Sequence, residues 1–256
     1  MDACKLPQFA RQHGGVKRTG FITALVSEAR TLRPAFGRAA GISIAHDVLI
    51  AVAGIGAVAA GRAAAAAMEG GAGALVSWGY AGGLAPNLSS GTLVVPDRIL
   101  CTDGSVFDTD EGWREALSAR IAGRQIVRCG RLLSAPLLLA DQECKSRYFR
   151  DSGAIAVDME SAAIARVARA WNVPFLAVRA VLDTSSEQLP SAIADAIGPE
   201  GKLRWMRLWQ GVARSPRTLQ QLLGLSSNYR EARQALIAAA VVGRPHVHSI
   251  GSEVVM

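Results

Sequence analysis

The chain has 256 residues, enough for one large domain or two small ones; half are hydrophobic and 19% are charged. This composition is typical of a globular chain that buries a core, and it excludes extensive disorder. The 28 lysines and arginines outnumber the 21 acidic residues, giving a net charge of +7. Such a charge favours contact with an anion, an acidic membrane surface or nucleic acid.

The cysteine pattern and the absence of targeting signals indicate a cytoplasmic protein. The N-terminal stretch Met1–Gly20 is polar and basic and lacks the apolar run of a secretory signal. The longest uncharged run, between Glu69 and Asp97, contains paired glycines and cannot form one membrane-spanning helix. At most, peripheral contact with the inner face of the membrane is expected. The four cysteines are widely spaced and predict free thiols: Cys4, Cys101, Cys129 and Cys144.

Short apolar runs alternate with helical patterns from Thr19 onward. Helices are predicted from Glu28, through the alanine-rich run that ends at Met68, and over Glu160–Trp171. This alternation is typical of an α/β sheet with helices on both faces. Buried strands are predicted at Gly20–Val26, Val48–Ala53, Ala72–Trp78, Thr92–Pro96, Ala154–Val157 and Phe175–Val181.

No linker interrupts the pattern before Ser185, so one domain over residues 19–243 is predicted. It includes a basic C-terminal helical segment from about residue 200. Flexible segments are expected on either side, at residues 1–18 and 244–256.

Acidic residues follow three of the predicted strands. Asp158 and Glu160 come after the fifth strand, Asp183 after the sixth, and Glu28 after the first, with Arg179 four residues before Asp183. Since ligands bind at the carboxyl ends of such strands, these residues predict an acidic pocket that contains an arginine. Helix capping by Asp183 and an ordinary first-turn role for Glu160 remain alternatives.

Familiar cofactor and metal motifs are not found. Gly54-Ile55-Gly56 follows a strand, but Ala59 occupies the place of the third glycine of a dinucleotide fingerprint, so a tight turn is the better interpretation. The sequence contains neither a phosphate-binding P-loop nor a zinc-protease or serine-hydrolase motif. No metal site is predicted.

Several motifs together resemble the nucleoside phosphorylase and nucleosidase superfamily, and most closely the methylthioadenosine/S-adenosylhomocysteine nucleosidases. The resemblance implies a single-domain, three-layer α/β fold with a central mixed β-sheet flanked by helices, assembled as a homodimer or larger homo-oligomer. The motifs run from the glycine-rich segment to the final strand: Gly79–Pro86, Gly91–Asp97, Val157–Ala165, Asn172–Phe175 and Val178–Asp183.

The resemblance also implies a reaction, cleavage of the bond between ribose and a purine. Asp183 would be the acid that donates a proton near N7 of the base, and its pKa would have to be raised by burial. Glu160 would bind the ribose hydroxyls, Met159 would pack on the sugar, Arg179 would orient the acids, and Glu28 would activate water. No cofactor is implied, although inorganic phosphate is a possible co-substrate.

This chain departs from the family pattern around the substrate. Tyr80, followed by Ala81 and Gly82 in the implied substrate site, replaces a serine that helps to bind phosphate. Leu182 replaces the usual serine before Asp183, and Glu28 lies near the position of a phosphate-binding arginine. These changes weaken the inference to phosphate as the nucleophile, and both phosphorolysis and hydrolysis stay open.

The implied purine-stacking loop, Leu133–Leu139, offers leucines such as Leu138 where an aromatic ring is expected. The aromatic ring could instead come from Trp78 or Tyr80. An apolar substituent on the nucleoside would suit this loop.

The C-terminal segment is basic and contains several tryptophans and leucines. Trp205, Leu208 and Trp209 accompany basic residues (Lys202, Arg204 and Arg207) and could rest on an anionic bilayer; a final core helix with a basic face is the alternative. The chain also resembles the hopanoid-associated phosphorylases, which are thought to remove adenine from adenosylhopane, a lipid-linked nucleoside.

Methylthioadenosine is the alternative substrate, and a non-catalytic nucleoside-binding module is the alternative function. Nucleic acid is disfavoured as a partner, because aromatic residues make up only 5% of the chain.

Overall fold

The protein is described by a computed structural model over residues 18–36, 43–45, 48–188 and 216–243. Eleven strands in these ranges form one mixed sheet. The strands are β1 (Arg18–Thr23), β2 (Ser43–Ala45), β3 (Val48–Val52), β4 (Ala72–Gly83), β5 (Leu93–Val94), β6 (Arg98–Cys101), β7 (Val106–Asp108), β8 (Val127–Arg128), β9 (Arg131–Ser134), β10 (Ala154–Asp158) and β11 (Phe175–Asp183).

Helices cover both faces of this sheet. The described helices are α1 (Val26–Ala29), the 3-10 turn Arg30–Leu32, α2 (Arg33–Phe36), α3 (Ala57–Glu69), α4 (Glu111–Ile121), α5 (Gln142–Ser152), α6 (Ser161–Ala170) and α7 (Pro216–Gly243). Helix α3 packs against α6, whereas α7 packs against β11 and α4.

Strand β4 is the centre of the sheet. It pairs in parallel with β1 on one side and with β11 on the other. Its glycine-rich end pairs antiparallel with β10, through Gly82 and Val157. The ends of β1, β4, β10 and β11 therefore meet in one region.

Side chains on the central strands point alternately to the two faces of the sheet, and this alternation explains the three layers. In β1, Phe21 belongs to the core beneath α7, while the next residue, Ile22, belongs to the core beneath α3 and α6. Because successive side chains of a strand point to opposite faces, a strand buried on both sides reads as a continuous apolar run. The predicted α/β class, with a mixed sheet flanked by helices, is confirmed.

The predicted element boundaries differ from those observed at the functional end of the sheet. Strand β1 ends at Thr23, and Val26 already begins α1. The prediction that the third strand ends at Trp78 is wrong, because β4 continues to Gly83, so the glycine-rich motif lies in a strand. Strand β11 likewise continues to Asp183.

Some predictions concern residues outside the described ranges. These are the flexible terminal segments, Cys4, and the basic run around Trp205. The other three cysteines have free thiols, as predicted. Among the described helices, none combines the length and the apolar character needed to cross a membrane.

Candidate active site

A cavity of about 160 Å³ opens where the ends of β1, β4, β10 and β11 meet. Every predicted site residue except Arg179 lines it, and Arg179 lies buried beside it. The cavity is lined by Ala24, Leu25, Glu28, Ile55, Tyr80, Ala81, Gly82, Leu137, Leu138, Leu139, Val157, Asp158, Met159, Glu160, Leu182 and Asp183.

Arg179 organises the buried charges. Its Nη2 lies 2.6 Å from Asp158 Oδ2 and 3.9 Å from Glu160 Oε2, and it donates to Ser77 Oγ at 2.6 Å. The guanidinium group is 1% exposed, so the ion pair with Asp158 compensates for the loss of hydration. Ser77, which the sequence analysis did not single out, also accepts a hydrogen bond from Ser161 and lies buried in β4.

Glu28 is held by backbone donors at the beginning of α1. The backbone N–H groups of Ala24 and Leu25 donate to Oε2, each at 2.8 Å, and Tyr80 N–H donates to Oε1 at 3.0 Å. Burial raises the pKa of Glu28, while Arg179 and these hydrogen bonds oppose the rise. A carboxylate has about four acceptor positions, so Oε1 can still accept a hydrogen bond from a water molecule.

Glu160 reaches across to another element and does not cap its own helix. It occupies the position before α6 but makes no capping hydrogen bond; its Oε1 accepts instead from Gly56 N–H at 2.8 Å. Glu160 is therefore not an ordinary acidic residue in the first turn of a helix, which was the alternative interpretation. Burial raises the pKa of Glu160 to about 7, with Arg179 opposing the rise and Asp158 adding to it.

Asp183 pairs with a lysine that the sequence analysis missed. Lys145 Nζ lies 2.5 Å from Asp183 Oδ2 and also donates to the backbone oxygens of Thr184 and Glu187, at 2.8 and 2.9 Å. Burial raises the pKa of Asp183, and the Lys145 ammonium group limits that rise. The capping interpretation of Asp183 is not supported, because Asp183 ends β11 and residues 184–188 contain only a turn.

One sequence signal points to Lys145. The chain has 24 arginines but only four lysines, and Lys145 is the single lysine between Lys17 and Lys202. Because lysine and arginine are not interchangeable where a compact ammonium group is needed, a lone lysine in an arginine-rich chain is a candidate for a specific contact.

The remainder of the wall is apolar. Leu25, Ile55 and Leu182 join the predicted leucine loop, whose residues 137–139 all line the cavity. Leu137 is 72% exposed. Of the two aromatic candidates, Tyr80 lines the cavity, whereas Trp78 is buried in the core and donates from Nε1 to Thr31.

Metal binding finds no support among the described residues. Within 18–36, 43–45, 48–188 and 216–243, no group of three or more histidine, cysteine, aspartate or glutamate side chains could hold an ion. The carboxyl groups of the cavity are those of Glu28, Glu160 and Asp183, together with Asp158, which is paired to Arg179. This arrangement suits proton transfer and stabilisation of a cation.

A family model described as the phosphorylase superfamily matches residues 22–200, which is more than half of the chain. The chain belongs to the phosphorylase superfamily. It is accordingly an enzyme of that superfamily, and the match includes every predicted site residue.

Solved structures share the fold of this superfamily member. The 5′-methylthioadenosine/S-adenosylhomocysteine nucleosidase from Neisseria meningitidis, in complex with methylthio-immucillin-A, is 22% identical with a TM-score of 0.64, covering 89% of this chain and 99% of that one. Futalosine hydrolase of Helicobacter pylori is 18% identical with a TM-score of 0.65, covering 88% and 97%. A Helicobacter pylori nucleosidase mutant with 5′-methylthioadenosine in its active site is 17% identical with a TM-score of 0.62, covering 78% and 99%.

Proposed function

We propose that this enzyme cleaves the N-glycosidic bond of an adenine nucleoside whose 5′ substituent is apolar. One observation carries the proposal: three acids that follow or end separate strands, Glu28, Glu160 and Asp183, line a single cavity whose remaining wall is largely apolar and includes five leucines. The methylthioadenosine bound to the Helicobacter pylori neighbour is a nucleoside of this type.

Asp183 is proposed as the acid that protonates the departing base. A purine anion is a poor leaving group, so a proton or a strong hydrogen bond at N7 lowers the barrier. An acid for this role must keep its proton near neutral pH, and burial raises the pKa of Asp183 in that direction.

The other two acids act on the sugar and on the nucleophile. The transition state is a cationic, oxocarbenium-like ribose, which the negative charge of Glu160 stabilises while its oxygens bind the ribose hydroxyls. Met159, which also lines the cavity, packs against the sugar. Arg179 keeps Asp158 and Glu160 in place through the contacts described above.

Water is the nucleophile that this cavity favours. Glu28 retains an acceptor position for a water molecule, whereas a phosphate dianion would meet carboxylates. Among the described residues, the two buried cations beside these acids are already paired, Arg179 with Asp158 and Lys145 with Asp183. No cofactor takes part in the proposed reaction.

The leucine wall supports an apolar 5′ group, and adenosylhopane is proposed as the substrate. Leu137 and Leu138 extend the apolar lining. A lipid-linked nucleoside lies at a membrane surface, which the basic C-terminal segment would approach peripherally from the cytoplasm. Methylthioadenosine is the alternative substrate, since the same wall accepts a smaller thioether.

Adenine release tests the proposal directly. Adenosylhopane and methylthioadenosine are each incubated with the enzyme, with and without inorganic phosphate, and free adenine is measured by chromatography. Release from the lipid nucleoside without phosphate is expected. Release that requires phosphate would assign phosphate as the nucleophile, and release from methylthioadenosine alone would overturn the lipid substrate.

Asp183→Asn separates an enzyme from a binding module. The amide cannot donate the carboxyl proton, so adenine release should fall by about 10²- to 10⁴-fold while nucleoside binding persists. Binding is measured by calorimetry on the same preparation. A variant that releases adenine at the wild-type rate would exclude Asp183 as the acid; no release by the wild type from either nucleoside would refute the proposed reaction on these substrates.

A further inference from the structure

We propose that Lys145 is a positioning residue for Asp183, holding the carboxyl group in the orientation in which it meets the base. This proposal rests on the proposed function, in which Asp183 is the acid. It assigns a role to a buried cation that none of the family motifs contains.

The environment of Lys145 shows how specific the contact is. The side chain is fully buried, and its nitrogen has three acceptors, one from Asp183 and two from the backbone of Thr184 and Glu187. An ammonium group has three N–H donors and no acceptor, so all three donors are used. A buried charge is tolerated when it is paired and hydrogen-bonded in this way.

Helix α5 delivers this lysine to the site. The Asp141 side chain accepts a hydrogen bond from Cys144 N–H and caps the beginning of the helix. Lys145 N–H donates to Asp141 O at 3.0 Å, which places the lysine in the first turn. Gly153 ends the helix in a left-handed conformation, and β10 follows immediately.

The turn after Asp183 is held from two sides. Lys145 binds two of its backbone oxygens, and Glu187 accepts from Thr184 N–H at 2.7 Å and from Asn228 of α7 at 2.9 Å. The turn that follows Asp183 is thus held between α5 and α7, while Lys145 holds the carboxyl group itself. Since Lys145 engages Oδ2, Oδ1 is the oxygen that remains for the purine.

Two charged groups act on Asp183, and they oppose each other. The Lys145 ammonium lowers the pKa of Asp183, and the Glu187 carboxylate raises it, both on top of the rise caused by burial. Removing the lysine charge therefore raises that pKa further. Because the acid acts in its protonated form, activity should then persist to higher pH.

Lys145→Met, which keeps length and apolar volume but removes the charge, tests the proposal. We expect kcat to fall about 100-fold with KM little changed, and the alkaline limb of the pH–rate profile to move to higher pH. Lys145→Arg, which keeps the charge, should return the limb towards its wild-type position. Arg150→Met, an exposed residue of the same helix, is the matched control and should change neither.

A double variant separates positioning from mere folding. If Lys145 acts through Asp183, the variant carrying both Lys145→Met and Asp183→Asn should be no slower than Asp183→Asn alone. Circular dichroism and thermal unfolding accompany each assay.

A Lys145→Met enzyme that is slower but keeps the wild-type alkaline limb would overturn the positioning role. So would additive losses in the double variant. An inactive wild type would instead overturn the proposed function, and this role with it.

Discussion

Glu28 and Arg179 approach each other above Gly79, a residue of β4. A Cβ at this glycine would lie 2.6 Å from Arg179 Nη1 and 2.6 Å from the carboxyl carbon of Glu28. Real Cβ atoms do not approach other atoms so closely, so the missing side chain allows the acid and the guanidinium to come together over the strand. Gly79 is needed because its missing side chain leaves room for the Glu28 carboxyl group and the Arg179 guanidinium group.

Gly79→Ala should therefore damage both stability and activity. Overpacking of a buried site costs about 1–3 kcal/mol, and here the displaced groups are the proposed water-activating acid and its charged neighbour. The free energy of unfolding is measured by urea titration, and adenine release is measured on the same sample.

Gly61→Ala is the control for this substitution. Gly61 lies inside α3, and its added methyl would meet only Ala163 at 3.8 Å, an ordinary contact. Alanine is the better helix former by about 1 kcal/mol, so this variant should be as stable as wild type or more stable, with unchanged activity. A Gly79→Ala protein with wild-type stability and activity would refute the steric argument.

The sequence predicts the acids of this site better than the groups that hold them. Glu28, Glu160 and Asp183 follow apolar strands, so their convergence can be read from the pattern. Ser77 and Lys145 cannot be found in this way: Ser77 interrupts an apolar strand, and Lys145 lies in the first turn of a mostly polar helix. Their partners are 102 and 38 residues away in the chain.

Helix α7 forms one of the two apolar layers over the sheet. Its buried face consists of small residues and one leucine, which pack against β11 and α4: Ala232, Ala235, Leu236, Ala239 and Ala240. Tyr229 of the same helix lies 5.6 Å from the ring of Tyr80. The helix thus supports both the core and the cavity wall.

Leu236→Ala should destabilise the fold strongly. The leucine is fully buried, and removing such a side chain from a core leaves a cavity that costs about 2–5 kcal/mol. Val241→Ala on the same helix, where the valine is 48% exposed, should change stability by less than about 0.5 kcal/mol. Urea unfolding of both variants checks this, and equal losses would mean that α7 does not pack as described.

The central strands are predictable because burial on both faces leaves a continuous apolar run. Their ends are harder to predict: glycine usually indicates a turn, yet Gly79, Gly82 and Gly83 continue β4 because neighbouring strands and side chains come close to it. Two-residue strands such as β5 and β8 carry too few residues to show a period. These short strands form because they pair with strands that lie far along the chain.

At the scale of the whole molecule, the net charge of +7 and the apolar cavity both support the proposal of a lipid-linked substrate. A lipid-linked nucleoside would be met at a membrane surface, and basic residues near an anionic surface contribute about 1 kcal/mol each. Lys202, Arg204 and Arg207 lie outside the described residues, so their role is argued from the sequence alone.

The protein should bind vesicles that contain anionic lipid, and binding should weaken as salt rises, because salt screens surface charge. A variant in which Lys202, Arg204 and Arg207 are replaced by glutamine should no longer sediment with such vesicles.

If the wild type releases adenine from methylthioadenosine, this variant should release it at the same rate. The control replaces three exposed arginines, Arg120, Arg124 and Arg128, which lowers the net charge by the same amount. If both triple variants lose binding equally, overall charge and not this segment governs it; if the wild type does not bind, peripheral membrane contact is refuted.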